Sequence, residues 1–183
     1  MKEHDLNGTV MRVEFEKFAE KGGIFMESLS DALGIGNDYE KTLRILKSVF
    51  SALRSHLPFH ESMAVLDVLP MAIRGIYVDG WVLRNGGISK INTVDDFALA
   101  VLHEDARKSP PDFNGLDEVI QASGAVIETI ADFAPAGKKK ADRLDNLPRG
   151  LRNLYNTFDR ISRRNNFALG DYHHRHPGVD AYA

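Results

Sequence analysis

The residues in this chain with the types and spacing to do chemistry are histidines set beside carboxylates. His56, His60 and Glu61 lie close together, and two histidines four apart on one helical face can share a metal ion. Pro58 stands between them and should end a helix there, so the spacing loses that meaning and helix-end roles are expected instead. His103-Glu104-Asp105 reads as the solvated end of another helix. His173, His174 and His176 sit among Gly170, Pro177 and Gly178, the composition of a mobile tail rather than of a metal site. The absence of cysteine excludes disulfides, thiolate nucleophiles and cysteine-ligated zinc. No glycine-rich phosphate loop, serine elbow or paired acidic motif stands out. The expectation is a protein with no catalytic residue, no metal and no cofactor.

Charge offers a second kind of chemistry. Residues 1–137 carry 13 Lys/Arg and 21 Asp/Glu, whereas residues 138–183 carry 10 and 5, so the last quarter is basic. Lys138, Lys139, Lys140, Arg143 and Arg149, followed by Arg160, Arg163 and Arg164, could hold an anion or contact nucleic acid nonspecifically. No interleaved aromatics or reading motif accompany them. Attraction to the acidic remainder of the same fold accounts for the asymmetry more simply.

The elements that must position these residues read as helices throughout, with no strand run. After Gly34-Ile35-Gly36, Asn37 or Asp38 can cap a helix that stops before Pro58. Tyr39, Leu43, Leu46, Phe50, Leu53 and Leu57 alternate at steps of four and three, and Ile45, Val49 and Ala52 broaden the stripe, so this helix should pack against two neighbours. Upstream, Phe15 and Phe18 belong to a helix that Gly22-Gly23 should interrupt before Phe25, Leu29 and Leu33 resume it. Downstream, Met63, Leu66 and Leu69 precede Pro70, which should kink the helix or open a new one. Thr93 or Asn92 can cap the next helix, bearing Phe97, Val101 and Leu102. Leu116 to Phe133 marks a long one, Lys138 to Asn146 another, and Leu151, Leu154, Tyr155, Phe158 and Ile161 the last stripe.

Self-similarity orders these pieces. The stretch Leu66 to Tyr77 aligns with Leu144 to Tyr155, with identity at Leu66/Leu144, Asp67/Asp145, Leu69/Leu147, Pro70/Pro148, Arg74/Arg152 and Tyr77/Tyr155. Phe25 and Leu29 match Phe97 and Val101 at an offset six residues shorter, about the length of the Pro110 to Gly115 loop. Two tandem units follow, each a short helix, a long helix and a third helix broken at Leu-Pro, sharing one core. Asp67, Arg74, Tyr77, Asp145, Arg152 and Tyr155 are the candidate residues of the inter-repeat seam. Ion pairing or helix-end contact is their favoured role: Asp should cap the new helix and Arg should reach back or bind a carbonyl of the other unit.

Phe25 to Gly34, Leu43-Arg44-Ile45-Leu46 through Leu57-Pro58 and Glu61, and Leu69-Pro70 through Tyr77 with Gly80-Trp81 resemble an uncharacterised bacterial family, domain of unknown function 2267. The resemblance implies an all-helical fold and no established biochemical role. Residues 1–23 then read as an N-terminal helical extension. Residues 24–160 form the duplicated helical bundle, packed as one domain (repeat one about 24–84, repeat two about 93–160), and 161–183 a basic, mobile tail. The N-terminus carries no secretory signal and no span for a membrane, which points to the cytoplasm. The functional expectation is a non-enzymatic helical module that contacts another protein or a second copy of itself. The alternatives are anion or nucleic-acid binding by the basic quarter, and small-molecule binding between the repeats.

Overall fold

The computed structural model describes residues 4–82, 93–107, 110–134 and 144–164, and these form an all-helical bundle. The described helices are α1 (His4–Leu33), α2 (Tyr39–His56), α3 (Phe59–Val68), α4 (Met71–Val78), α5 (Val94–Asp105), α6 (Leu116–Phe133) and α7 (Arg149–Arg164). The expected helix over Lys138 to Asn146 falls outside the described residues except at its end. Among the described residues no helix is long and apolar enough to cross a membrane.

Local chemistry explains where the helices begin and end. Gly34 adopts a φ of 65° directly after α1, the left-handed conformation that glycine accepts without a Cβ clash, and its amide returns to the Asp31 carbonyl at 2.9 Å. The Asp38 carboxylate accepts from the Lys41 amide at 2.9 Å to start α2. At α5, Thr93 and Asp96 each accept from the other's backbone amide at 3.1 Å, a reciprocal cap that satisfies two otherwise exposed donors.

Most of the broad stripe on α2 is buried as expected, with Ile45, Leu46, Val49, Phe50 and Leu53 losing all contact with solvent, whereas Tyr39 at its start is 45% exposed. Its partners are α1 on one side and α5 on the other, and α1 also packs on α6. Helix α6 is the most enclosed element, with every residue from Val119 to Ile127 buried. The small side chains Ala122, Ser123 and Ala125 in that run allow neighbours to approach from several directions. Rings lock the layers: Phe25 meets Phe133 at 5.2 Å between centroids, and Phe97 meets Phe158 at 5.7 Å.

One expectation fails at Gly22-Gly23, where α1 continues unbroken. Glycine inside a helix costs about 1 kcal/mol relative to alanine, but Gly22 lies where α4 crosses. A Cβ there would come within 2.7 Å of the Ala72 Cβ. Close helix packing therefore outweighs propensity. Upstream of that crossing α1 is exposed, with Met11, Val13 and Phe15 between 42% and 64% accessible.

Candidate functional site

The two Leu-Pro joints are the natural place to look for a site, because they hold the repeated polar residues. Both prolines stop one helix and precede the next: Pro70 flanks α4 with extended backbone (ψ 146°), and Pro148 precedes α7. The main-chain bonding at the joints is the same. The Leu69 amide donates to the Leu66 carbonyl at 3.3 Å, and the Leu147 amide to the Leu144 carbonyl at 3.2 Å. The Arg74 and Arg152 amides donate to the carbonyls of Pro70 and Pro148, each at 3.0 Å.

The side chains of the two arginines then reach back across the break. Arg74 donates to the Leu69 carbonyl at 2.8 Å and the Asp67 carbonyl at 3.2 Å, and Arg152 to the Asp145 carbonyl at 2.9 Å. These carbonyls end a helix and lack intrahelical partners, so a cation there satisfies them and complements the helix dipole. Asp67 does not do what the sequence suggests: α4 has no side-chain cap, and Asp67 projects into solvent. Asp67 belongs to the last turn of α3, four residues before α4 begins, with the extended backbone of Leu69 and Pro70 between them. Asp145 is also exposed, at 3.9 Å from Arg152.

The tyrosines of the matched stretches enter the core in different company. The Tyr77 ring packs edge-on against Phe50 at 4.9 Å and Trp81 at 5.9 Å. Its buried hydroxyl has no hydrogen bond, and the Ser62 hydroxyl lies nearby, equally buried and outside bonding geometry. Burial pushes the Tyr77 pKa up, against the smaller opposing pulls of Ser62 and Arg54. Tyr155 donates its hydroxyl to the Glu128 carboxylate of α6. Burial, then that bond and the negative charges of Glu128 and Asp159, raise its pKa strongly. Arg74 and Arg152 each bind carbonyls of their own joint, while Tyr77 and Tyr155 face other helices.

Other polar contacts, not legible as a motif, tie distant segments. Arg44 on α2 grips the buried Asp112 with two nitrogens, the shorter contact 2.7 Å, which raises its pKa further. Asp105, buried at the end of α5, accepts the amides of Asp112 and Phe113 at 2.8 and 3.0 Å and so folds the Pro110 to Gly115 loop against the core. The expectation of a solvated end for His103-Glu104-Asp105 therefore fails at Asp105. Arg54 donates to the carbonyls of Tyr77 and, at 3.0 Å, Asp79, closing the end of α4. Burial lowers the Arg54 pKa, opposed by Tyr77, Glu104 and Asp79.

The histidine group is dispersed in the same manner. His56 ends α2 and stands edge-on to Phe97 of α5 at 5.7 Å, whereas His60 is exposed on α3. Glu61 turns the other way and accepts the Gly150 amide in the first turn of α7 at 3.0 Å. A Cβ on Gly150 would fall 2.6 Å from Cδ2 of Leu57, the residue that ends α2, so the start of α7 passes close to the α2–α3 connection. Among the described residues no three His, Asp or Glu side chains gather in a way that could hold a metal ion. Of the basic group, Arg149, Arg160, Arg163 and Arg164 are exposed on α7, and Arg163 pairs with Asp159 at 2.9 Å. Lys138, Lys139, Lys140 and Arg143 lie outside the described residues.

Among the described residues, the carboxylates and guanidinium groups named above are directed at backbone amides, carbonyls and each other. The feature that sequence reasoning missed is the apolar face of α1 before Gly22. Its signal was present: Met11, Phe15 and Phe18 continue through Gly22 to Phe25 and Leu29 at steps of four and three, once glycine is counted as a small packed residue. Comparison with curated proteins gives no match. Residues 24–154, well over half of the chain, match a family described as Uncharacterized conserved protein (DUF2267), and the chain belongs to that family.

Proposed function

We propose that this protein is a non-enzymatic helical module that acts by contacting other protein chains. The observation that supports it most directly is the exposed stretch of α1, where Met11 and Phe15 are 61% and 64% accessible while Phe25, Leu29 and Leu33 further along the helix are fully buried. Large apolar side chains grouped on one face mark an interaction surface more often than a solvated one. The polar groups give the reading a second support, because they stabilise helix ends and leave the bundle a rigid platform.

The bundle itself fits two tandem three-helix repeats, residues about 24–84 and 93–160. Helix α1 packs on α6 and α2 packs on α5, the exchange expected if α1 corresponds to α5 and α2 to α6 about a pseudo-twofold axis. The matched bonding at Leu69-Pro70 and Leu147-Pro148 supports the same reading.

A photo-reactive phenylalanine derivative at position 15, irradiated in the source cells, tests the function. A protein adduct from position 15 but not from the exposed Glu20, well around the helix, is the expected result. No protein adduct from either position would remove the interaction reading.

A further inference from the structure

The exposed face of α7 carries charge of one sign. Arg149, Asn153, Asn156, Arg160 and Arg163 recur at steps of four and three, and Arg164 lies beside them, so all six exposed residues fall within an arc of about 100°. The opposite side, with Leu151, Leu154, Tyr155 and Phe158, is buried on the bundle, where Tyr155 meets Glu128 of α6 and Phe158 meets Phe97 of α5. The arc itself contains no acidic and no apolar side chain. On the exposed stretch of α1, by contrast, cations and carboxylates alternate and pair with each other, Arg12 with Glu16 and Lys17 with Glu14.

Helix energetics account for only part of this set. Arg163 and Arg164 in the last turn complement the helix dipole, and Arg163 also pairs with Asp159 at 2.9 Å. Arg149 opens the helix, where a cation opposes the dipole and α7 has no acid of its own in its first turn. Asn153 and Asn156 are weak helix formers at exposed interior positions, where packing imposes no choice. Internal charge balance does not explain the arginines either. Among the described residues no carboxylate pairs with Arg149, Arg160 or Arg164, and Arg160 turns to its own helix, to the Asn156 carbonyl at 3.3 Å and the Thr157 hydroxyl at 3.1 Å. Glu61, which reaches the start of α7, is directed at the Gly150 amide.

Guanidinium and carboxamide groups share one recognition property: both donate hydrogen bonds to phosphate and sugar oxygens. Residues 149 to 164 cover about 22 Å of helix, so a single small anion can touch only one or two of the arginines. A ligand that engages the whole row needs negative charge repeated along its length. An anionic membrane takes up a helix through apolar side chains set beside its cations, and a protein interface is centred on apolar or aromatic anchors. The arc offers neither. It also lacks the aromatic rings on which single-stranded bases stack. Duplex nucleic acid presents closely spaced phosphates and is bound through them alone where sequence is not read.

We infer that the exposed face of α7 binds the phosphate backbone of duplex nucleic acid without reading its sequence, through Arg149, Asn153, Asn156, Arg160 and Arg164. This contact is separate from the protein-contact reading, which concerns α1, and neither depends on the other.

Fluorescence anisotropy of a labelled DNA duplex of about 20 base pairs, titrated with the full chain between about 20 and 200 mM salt, tests it. Binding should weaken steeply with salt, the logarithm of the association constant falling by about 3 per tenfold rise in salt, as expected for about three neutralised phosphates. Arg149→Gln and Arg160→Gln should each lower affinity several-fold at low salt and reduce that slope by about 1. Arg12→Gln on α1 changes the net charge equally and should leave affinity and slope unchanged. Replacing Asn153 and Asn156 together by alanine should lower affinity and leave the slope as it is, because no charge is removed. Helical circular dichroism of each variant checks that these exposed substitutions leave the fold intact. No binding at the lowest salt, an unaltered slope in Arg149→Gln and Arg160→Gln, or an equal loss in Arg12→Gln overturns the inference. A loss confined to combined Lys138→Gln, Lys139→Gln and Lys140→Gln would place the contact elsewhere and overturn it too. So would binding to a polyglutamate peptide as tight as to the duplex, which would make the face a site for acidic chains in general.

Discussion

At Leu69-Pro70 the helix that follows begins with no side chain on its first amides, whereas at Leu147-Pro148 the Glu61 carboxylate crosses from α3 to bind the first turn of α7. The two joints share six of twelve residues, and their main-chain bonds and the backward reach of Arg74 and Arg152 are alike. What differs is supplied from outside the matched stretch. Tyr77 is surrounded by Phe50 and Trp81, and Tyr155 by the carboxylate of Glu128. A local motif can thus fix its own backbone while its neighbours decide whether its polar atoms are satisfied.

The largest effects should fall on what the joints share. Leu69 and Leu147 are 2% and 4% accessible, so Leu69→Ala and Leu147→Ala should each destabilise by about 2–5 kcal/mol through lost burial and a residual cavity. Chemical denaturation measures both. If one substitution proves nearly neutral, the joints do not share an apolar frame and the comparison breaks at its base.

The tyrosines should separate the joints. Tyr155→Phe removes a hydrogen bond to a charged acceptor and should cost about 1–2 kcal/mol. Tyr77→Phe removes a buried hydroxyl that has no bond, so it should be neutral or slightly stabilising. Equal losses in denaturation midpoint at the two positions would show that Tyr77 has a partner in solution. The caps give a smaller contrast of the same kind. Glu61→Ala should cost about 1 kcal/mol by exposing the α7 amides, while Asp67→Ala should stay within about 0.5 kcal/mol.

The fold was readable where periodicity alone decides. The α2 stripe, the proline breaks, the Thr93 cap and the last stripe of Leu151 to Phe158 all depend on residues within a few turns of each other. Gly22 misled because its helix-breaking tendency is local, whereas the reason for its presence is Ala72, fifty residues away in sequence. Glu61 was visible as a neighbour of two histidines and as part of the family pattern, but nothing near it announces Gly150. Asp105 looked like a solvated helix end for the same reason: its ligands are amides in a loop whose path depends on the whole bundle. Repeated residues were the easiest to find and their geometry is local. The long-range ties, which carry no repeated signature, needed the structure.

Alkaline pH gives the finest test of the difference between the joints. Both tyrosines have folded-state pKa values raised above the ordinary value near 10. The folded chain therefore keeps these protons at a pH where the unfolded chain releases them. Their contribution is complete below about pH 10 and is lost as pH rises through the folded-state values. Near neutrality both states keep these protons, so stability does not change with pH on their account. Denaturation midpoints followed upward from pH 8 should fall above about pH 10 in the wild type, and each Tyr→Phe variant should fall less steeply because it has one fewer proton to lose. Burial acts on both rings, but only Tyr155 has a carboxylate on its hydroxyl, and Tyr77 faces Arg54 instead, which favours the phenolate. Tyr155→Phe should accordingly flatten the profile over a wider alkaline range than Tyr77→Phe. The reverse order would mean that Arg54 and Glu128 do not set the electrostatic difference between the two sites.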